Sequence, residues 1–518
     1  MEKLYNNIIL ADDFQSKPSR PDDVPYLKNP PEVINVTVGR QLFVDDFLIE
    51  ETTLTPTYHM AKKFDGNPVL KPEMPWEKET GSASTTPKGG GVWYDEEEKI
   101  FKMWYEACWL NQMCYATSKD GIHWERPDLG LEPGTNKIML WKGKAPENPE
   151  RWLRPDSTAV FIDYDAPKEQ RYKLALHGPS SHSPGVAATS ADGIHWENIT
   201  KTGLADDRTT MFYNPFRKKW VYSIRSAWHD RSRDYIECDD LLAGAKWELS
   251  DRHNWLACDE FDRPDPYFCH SNVADKSDSV YTPGLYNIDC VGYESIMLGM
   301  FELHQGLSNK TFGDAGVPKI TDLMPIYSRD GYHFSRPCRD PFIPSSRYRG
   351  AWDRGYVQSV GGVCIIHGDE LWIYYTGFAG DERYGRAWSD DDNKTGMYMN
   401  GATGIAKLRR DGFVSMDGSG SILTRKLEFS GKRSLHVNAA GSVKAAILSA
   451  DGRILAESAP FAGDSTNAKL DFGGFDVASL NGQVIRLRFD VSGSIYAFGF
   501  ADEKGDFGGA HAAGVVKL

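Results

Sequence analysis

Apolar and polar positions alternate in short runs along most of this chain, and the runs come in pairs. "GVWYDEEEKIFKMWYEA" from Gly91 sets two aromatic-rich apolar stretches around an acidic turn. The pattern recurs in "AVFIDYDAPKEQRYKLALHG" from Ala159, "TMFYNPFRKKWVYSIRS" from Thr210, "CVGYESIMLGMFEL" from Cys290 and "VCIIHGDELWIYYTGF" from Val363. Each is β-branched and aromatic on both sides of a polar break, which predicts a β-hairpin. No stretch carries a long helical period.

A third strand is predicted after each hairpin, and three of them end in nearly the same phrase. It reads "SKDGIHWERP" from Ser118, "SADGIHWENI" from Ser190 and "SRDGYHFSRP" from Ser328. Asp-Gly is a tight-turn signal, since glycine takes positive φ cheaply and aspartate bonds the nearby backbone. The aromatic three residues on packs the turn against a neighbour. "IECDDLLAGAKWE" from Ile236 and "AKLRRDGFVSM" from Ala406 read as worn copies. Five units of about 70 residues, each of three or four strands, predict an all-β five-bladed β-propeller. The apolar segment Arg40–Glu51 is expected to close the ring by completing the last blade. Beyond Met416–Ser421, short alternating strands such as Val484–Val491 and Ser494–Ala501 with glycine-rich turns predict a small β-sandwich. The expected organisation is an N-terminal extension over 1–37, the propeller over 38–416 as the catalytic unit, and an accessory β-sandwich over 421–518.

Charge narrows the partners. With 59 basic and 73 acidic residues the net charge is −14, which argues against nucleic acid and anionic membrane. No apolar run approaches membrane-spanning length. "MEKLYNNIILADDFQSKPSRPDD" lacks signal-peptide architecture, so the expected location is cytoplasmic, or periplasmic or secreted if a signal is removed. The eight cysteines show neither CxxC nor zinc-type spacing and read as free thiols. No metal or cofactor is expected for chemistry, although a structural calcium held by loop carboxylates is compatible with the chain.

Candidate chemistry follows from the propeller. The leading ends of the innermost strands ring one mouth of the central channel, so residues there meet in space though distant in sequence. Asp156 in "DSTAVFID" and Asp207 in "DRTTMFYN" stand at the same offset before consecutive inner strands. Asp289 lies slightly deeper on the fourth, Asp353 and Arg354 slightly earlier on the fifth, and Glu77 and Glu79 just ahead of the first. Grouped carboxylates suit glycoside hydrolysis, which needs one acid for the leaving oxygen and one carboxylate for the anomeric carbon or water. Asp207 is expected to act directly, with Arg208 to orient it; Asp156 positions the sugar or stabilises the transition state, and Glu79 joins from the loop into blade one. Arg208 and Arg354 are candidate holders of a hydroxyl or carboxylate. Trp228 and Trp352 are candidate stacking faces for a sugar, against packing as the commoner fate of such a residue. His59 and His304 default to structure. Glu294 and Glu302, on a mostly apolar hairpin, call for a partner that the sequence does not name.

These segments, together with "QLFVDDFLIEE", "NPVLKPEMPWE" and the tail "LTRKLEFSGKRSLHVNAAG", resemble bacterial proteins labelled glycoside-hydrolase-family-32-like, distant relations of families 32 and 43. The resemblance spans about residues 38 to 518. It implies a five-bladed propeller, a β-sandwich and a three-carboxylate site built from the first three blades, with the second-blade acid falling on Asp156 and the third-blade acid on Asp207. The implied partner is an oligosaccharide or glycoside. Three other readings stay open: a non-catalytic glycan-binding propeller, a sialidase-like hydrolase, and a glycoside phosphorylase with Arg208 and Arg354 near a phosphate.

Overall fold

The computed structural model describes residues 1–79, 82–138, 158–176, 183–262, 283–306, 308–385 and 396–517. The chain is nearly all β, and five antiparallel sheets form a five-bladed propeller. Blade one sets Thr85–Thr86 and Val92–Asp95 side by side on Ile100–Ala107, followed by Gln112–Ser118. Blade two runs Ala159–Ile162, Tyr172–Leu176, Ser183–Ser190 and Trp196–Ala205. Blade three runs Thr210–Asn214, Lys219–Ser226, Ser232–Cys238 and His253–Ala257. Blade four has Gly284–Glu294, Ile296–His304 and Thr321–Ser328. Blade five places Gly355–Ser359 and Ile365–His367 on Glu370–Phe378, then adds Gly401–Arg409. The five hairpins expected from the apolar pattern are all present.

The first strands of the blades touch one another around the ring, which closes between Gly355–Ser359 and the turn Lys88–Gly90. The covalent closure differs from expectation. The strand that completes blade five is Lys62–Lys63, not the segment Arg40–Glu51. Residues 34–58 instead pair with a ten-stranded sheet built around the long strands Ser434–Ser449 and Ile485–Ala501. An apolar strand looks the same whichever sheet receives it, so its partner could not be read locally. The C-terminal tail returns to the propeller: Ala510–His511 joins the inner strand of blade four, and Val515–Val516 runs parallel to Ile365–His367. Glu294 belongs to this junction, accepting the Arg40 amide at 3.1 Å and pairing with Arg410 at 2.8 Å.

The recurring phrase is a set of locks between blades. In its first copy Asp120 Oδ1 accepts the amides of Ile122 at 2.9 Å and His123 at 2.8 Å, while Oδ2 meets the His123 ring at 2.7 Å. Ser118 Oγ accepts the Gly121 amide at 2.9 Å, and Gly121 sits at φ +75°. The second and third copies repeat the pattern around Asp192 and Asp330. Each turn then reaches over the preceding blade. Tyr374 of blade five donates to the Gly121 carbonyl at 2.7 Å, Trp104 of blade one to Gly193 at 2.7 Å, and Trp255 of blade three to Tyr332 at 2.8 Å. The worn copies dock too, through Trp247 to the Leu204 carbonyl at 3.1 Å and Tyr293 to Asp411 at 2.6 Å. Aromatic rings thus bury an N–H or O–H against a neighbour's backbone carbonyl or, at Asp411, its carboxylate, where an unmade bond would be costly.

Candidate active site

Among the described residues, the mouth at the leading ends of the inner strands gathers side chains from four blades. Blade three supplies Asp206, Asp207 and Arg208 just before Thr210–Asn214. Blade four supplies Tyr286, Glu302, His304 and Lys319; blade five supplies Tyr356; blade one supplies Lys88, Glu106 and Trp109. Three of these, Lys88, Arg208 and Tyr356, hold left-handed backbones at φ +45°, +58° and +45°. Such a conformation costs a non-glycine residue roughly 1 kcal/mol or more and persists where surrounding contacts over-determine it.

Asp207 is half-buried and accepts the Tyr286 hydroxyl at 3.3 Å. Tyr286 in turn lies 2.7 Å from the Lys319 ammonium and 2.9 Å from the Tyr356 hydroxyl. Lys319 is only 1 % exposed and rests on aromatic rings, 4.6 Å from the centroids of both tyrosines and 5.1 Å from Tyr398. Across the mouth Lys88 pairs with Glu106 at 2.9 Å and sits 3.9 Å above Trp109, whose other face stacks on Tyr398 at 3.9 Å. Both faces of Trp109 are therefore occupied.

Below this layer lies a buried charge array. Arg208 points down the channel, fully buried, 3.6 Å from Glu302 and 4.0 Å from Asp289. Its carbonyl accepts from Arg233, which also bonds Ser223. Asp289 accepts from Asn287 at 2.9 Å and from Ser359. Burial, with the Asp289 charge beside it, pushes the Glu302 carboxyl up to about 7, against the opposing pull of Arg208, Lys319 and the Ser359 amide. Burial and the neighbouring Arg208 charge bring Arg233 down to about 9. His304 is buried and stacked on Tyr286 at 5.9 Å, and desolvation lowers its pKa well below the usual histidine value.

The structure brings some of the sequence candidates together and disperses others. Asp207, Arg208 and Asp289 converge, with Arg208 facing inward towards Glu302 rather than outward to a ligand. Asp156 lies outside the described residues. Glu79 is on an exposed turn, accepting from Asn111 at 2.8 Å and from Gln112. Asp353 is buried and engaged by Lys63 at 2.6 Å, Ser346 at 2.6 Å and Tyr375 at 3.0 Å, where it holds the closing strand. Arg354 pairs with Glu382 at 2.6 Å. Trp352 lies against Tyr375 and the strand glycines Gly377 and Gly404, so it packs. Trp228 is half-buried, its indole N–H donating to Arg233 at 3.3 Å, and it lines a cavity of about 820 Å³ between blade three and the N-terminal segment.

Sequence reasoning passed over Tyr286, Lys319, Tyr356 and the Lys88–Glu106–Trp109 group. Tyr286 and Tyr356 carried a usable signal, since both open inner strands where blades two and three carry their acids. Lys319 carried none. Among the described residues no three His, Cys, Asp or Glu side chains are grouped to hold a metal ion, and no helix is long and apolar enough to cross a membrane.

No family model matches the chain, and no curated protein matches it. Among solved structures it is similar in fold to an N-acetylgalactosamine deacetylase from F. plautii, solved with blood group B trisaccharide, at 12% identity and TM-score 0.42, covering 69% of this chain and 95% of that one. A family 43 arabinoxylan arabinofuranohydrolase from Bacillus subtilis, solved with cellotetraose, matches at 10% identity and TM-score 0.31, covering 80% and 78%. A family 117 glycoside hydrolase from Zobellia galactanivorans matches at 13% identity and TM-score 0.33, covering 72% and 91%.

Proposed function

We propose that the chain is a glycoside hydrolase whose reaction takes place at this mouth of the propeller channel, with Asp207 as the carboxylate that acts directly. The observation that carries the reading is the state of Asp207. It is a half-buried acid of the mouth, held by a tyrosine hydroxyl above a fully buried arginine and two further carboxylates. Such a group can meet a sugar from the solvent side while its orientation is set from below. Asp156, at the matching offset on blade two, supplies the second carboxylate, and Glu79 extends the rim from blade one. Glu302 is fully buried and shapes the field under Arg208 rather than touching substrate. No metal is required for the chemistry.

A panel of aryl glycosides and oligosaccharides tests the reading. The wild-type protein is expected to release sugar from at least one member, and Asp207→Asn to lower that turnover about 10³-fold, in the range of a lost acid–base or nucleophilic group. Binding of glycans with no release across the panel favours the non-catalytic alternative. Turnover that requires inorganic phosphate makes the protein a phosphorylase. Undiminished turnover in Asp207→Asn removes the residue from the mechanism.

A further inference from the structure

We propose that Tyr286 and Lys319 are positioning residues for Asp207: the buried Lys319 ammonium orients the Tyr286 hydroxyl as a donor to the Asp207 carboxylate. The inference rests on the reading of Asp207 above for its functional meaning, but its physical content does not.

The argument is one of donors and acceptors. A phenol has one proton and two lone pairs, an ammonium donates only, and an ionised carboxylate accepts only. Lys319 lies 2.7 Å from the Tyr286 oxygen, so one lone pair there is taken. Tyr356 lies 2.9 Å from the same oxygen and fills the other lone pair by donating its own proton. Among the described residues the Tyr286 proton is directed at Asp207 Oδ2, 3.3 Å away. A protonated Asp207 could not donate to Tyr286 in return, because that oxygen already accepts twice. The bond is stronger to the ionised carboxylate than to the neutral acid, so the arrangement favours the ionised form of Asp207 in this orientation.

The surroundings hold this set rigidly. Tyr286 meets Tyr356 edge-on at 5.5 Å, stacks on His304 at 5.9 Å and carries Arg231 over its face at 5.0 Å. The Tyr356 amide bonds the Lys319 carbonyl, and Gly355 allows that approach, because a Cβ there would lie 2.3 Å from the Lys319 oxygen. Lys319, Tyr286 and Tyr356 are 1 %, 4 % and 1 % exposed, so water does not compete for these bonds. Among the described residues, the titratable groups around Asp207 include Asp206, Arg208, Arg225, Arg231 and Arg233 from blade three, Tyr286, Asp289, Glu302, His304 and Lys319 from blade four, and Tyr356 from blade five. Asp206 is paired with Arg225 at 2.8 Å, and His304 is neutral at ordinary pH.

The test follows Asp207 directly. Protein labelled with ¹³C at the aspartate carboxyls is titrated by NMR, with Asp207→Asn identifying the signal. Tyr286→Phe keeps the ring and loses the donor, and it is expected to move the Asp207 midpoint to higher pH. Lys319→Met is expected to move it the same way, and the double variant no further than Tyr286→Phe alone. With a substrate from the glycan panel, Tyr286→Phe and Lys319→Met should lower kcat about 10- to 100-fold with KM within about threefold, and Lys319→Arg should recover part of the loss. An Asp207 midpoint unmoved in Tyr286→Phe overturns the proposal. So do shifts from the two single variants that add in full. The NMR readout needs no substrate, so a silent glycan panel with a coupled titration sinks the hydrolase reading and leaves the positioning pair standing.

Discussion

The turn at Ser118–His123 and the mouth around Asp207 both hang on a hydrogen-bonded aspartate, yet they are made by opposite means. In the turn every partner of Asp120 lies two or three residues away, and the same geometry recurs at Asp192 and Asp330. In the mouth Asp207 meets a tyrosine 79 positions on, and that tyrosine meets a lysine 33 and a tyrosine 70 positions further. The turns give their left-handed positions to glycine, at φ +75°, +75° and +83°. The mouth gives them to Lys88, Arg208 and Tyr356, where the contacts of buried side chains over-determine a strained backbone. The contrast separates turns written locally and repeatedly from a polar cluster assembled from distant segments.

The largest expected effect breaks the comparison at the mouth. Asp207→Asn should lose about 10³-fold in turnover with denaturant stability within about 0.5 kcal/mol of wild type, since the group is half-buried and its neighbours remain. Glu302→Gln comes next and acts on stability. Folded Glu302 keeps its proton up to about pH 7, whereas the unfolded chain releases it near 4.5. Stability present below pH 4.5 is therefore lost as pH rises to 7, on the order of 3 kcal/mol. Glu302→Gln should match wild type at pH 4 or below and exceed it at pH 8; equal denaturation midpoints at pH 8 would remove Glu302 as a buried acid.

How far each region was legible follows from the same contrast. The five hairpins and the four Asp-Gly turns could be read because period-two patterning and Asp-Gly chemistry act over a few residues. The place of Asp207 could be read from its offset before an inner strand. The closing strand Lys62–Lys63 is two residues long and carries no pattern, and Arg40–Glu51 looked like a closing strand only because its partner sheet lies in distant sequence. Asp353 and Trp352 stood at suitable positions in the chain, but Lys63, Tyr375 and the strand glycines engage them on blade five. Glu302 stood out as an acid in an apolar hairpin; the blade-three neighbour Arg208, far away in sequence, is the ion-pair partner that explains it.

A smaller effect belongs to the turns. A Cβ at Gly193 would lie 2.6 Å from Trp104 Cζ2 and would occupy a left-handed backbone. Gly193→Ala should cost about 2–3 kcal/mol by chemical denaturation, from strain and the displaced indole. Turnover per folded molecule should be unchanged. A loss below about 0.5 kcal/mol would show that the ring gives way easily and that the lock between blades one and two is loose.

The smallest effect is also the one that reverses the pH dependence seen at Glu302. Burial acts against the Asp192 charge, but the His195 amide and ring, the Ile194 amide and the Ser190 hydroxyl together hold its carboxyl below the usual range. A lowered folded pKa gives stability that is present above the unfolded value of about 3.9 and is lost as pH falls below it. The side chain is 46% exposed, so solvent screens much of the charge and the amide bonds dominate the effect. Asp192→Ala should thus cost about 1 kcal/mol at pH 7, as for a lost cap, with turnover untouched. The gap to wild type should narrow as pH drops through 4, because the wild-type turn loses the same carboxylate there. Mouth and turn then respond to pH with opposite signs, Glu302 favouring the folded state in acid and Asp192 favouring it above the acid range. Measuring both variants between pH 3 and 8 decides this: a gap for Asp192→Ala that widens in acid would mean that its bonds depend on a protonated carboxyl, contrary to the two amides that point at Oδ1 at 2.8 Å.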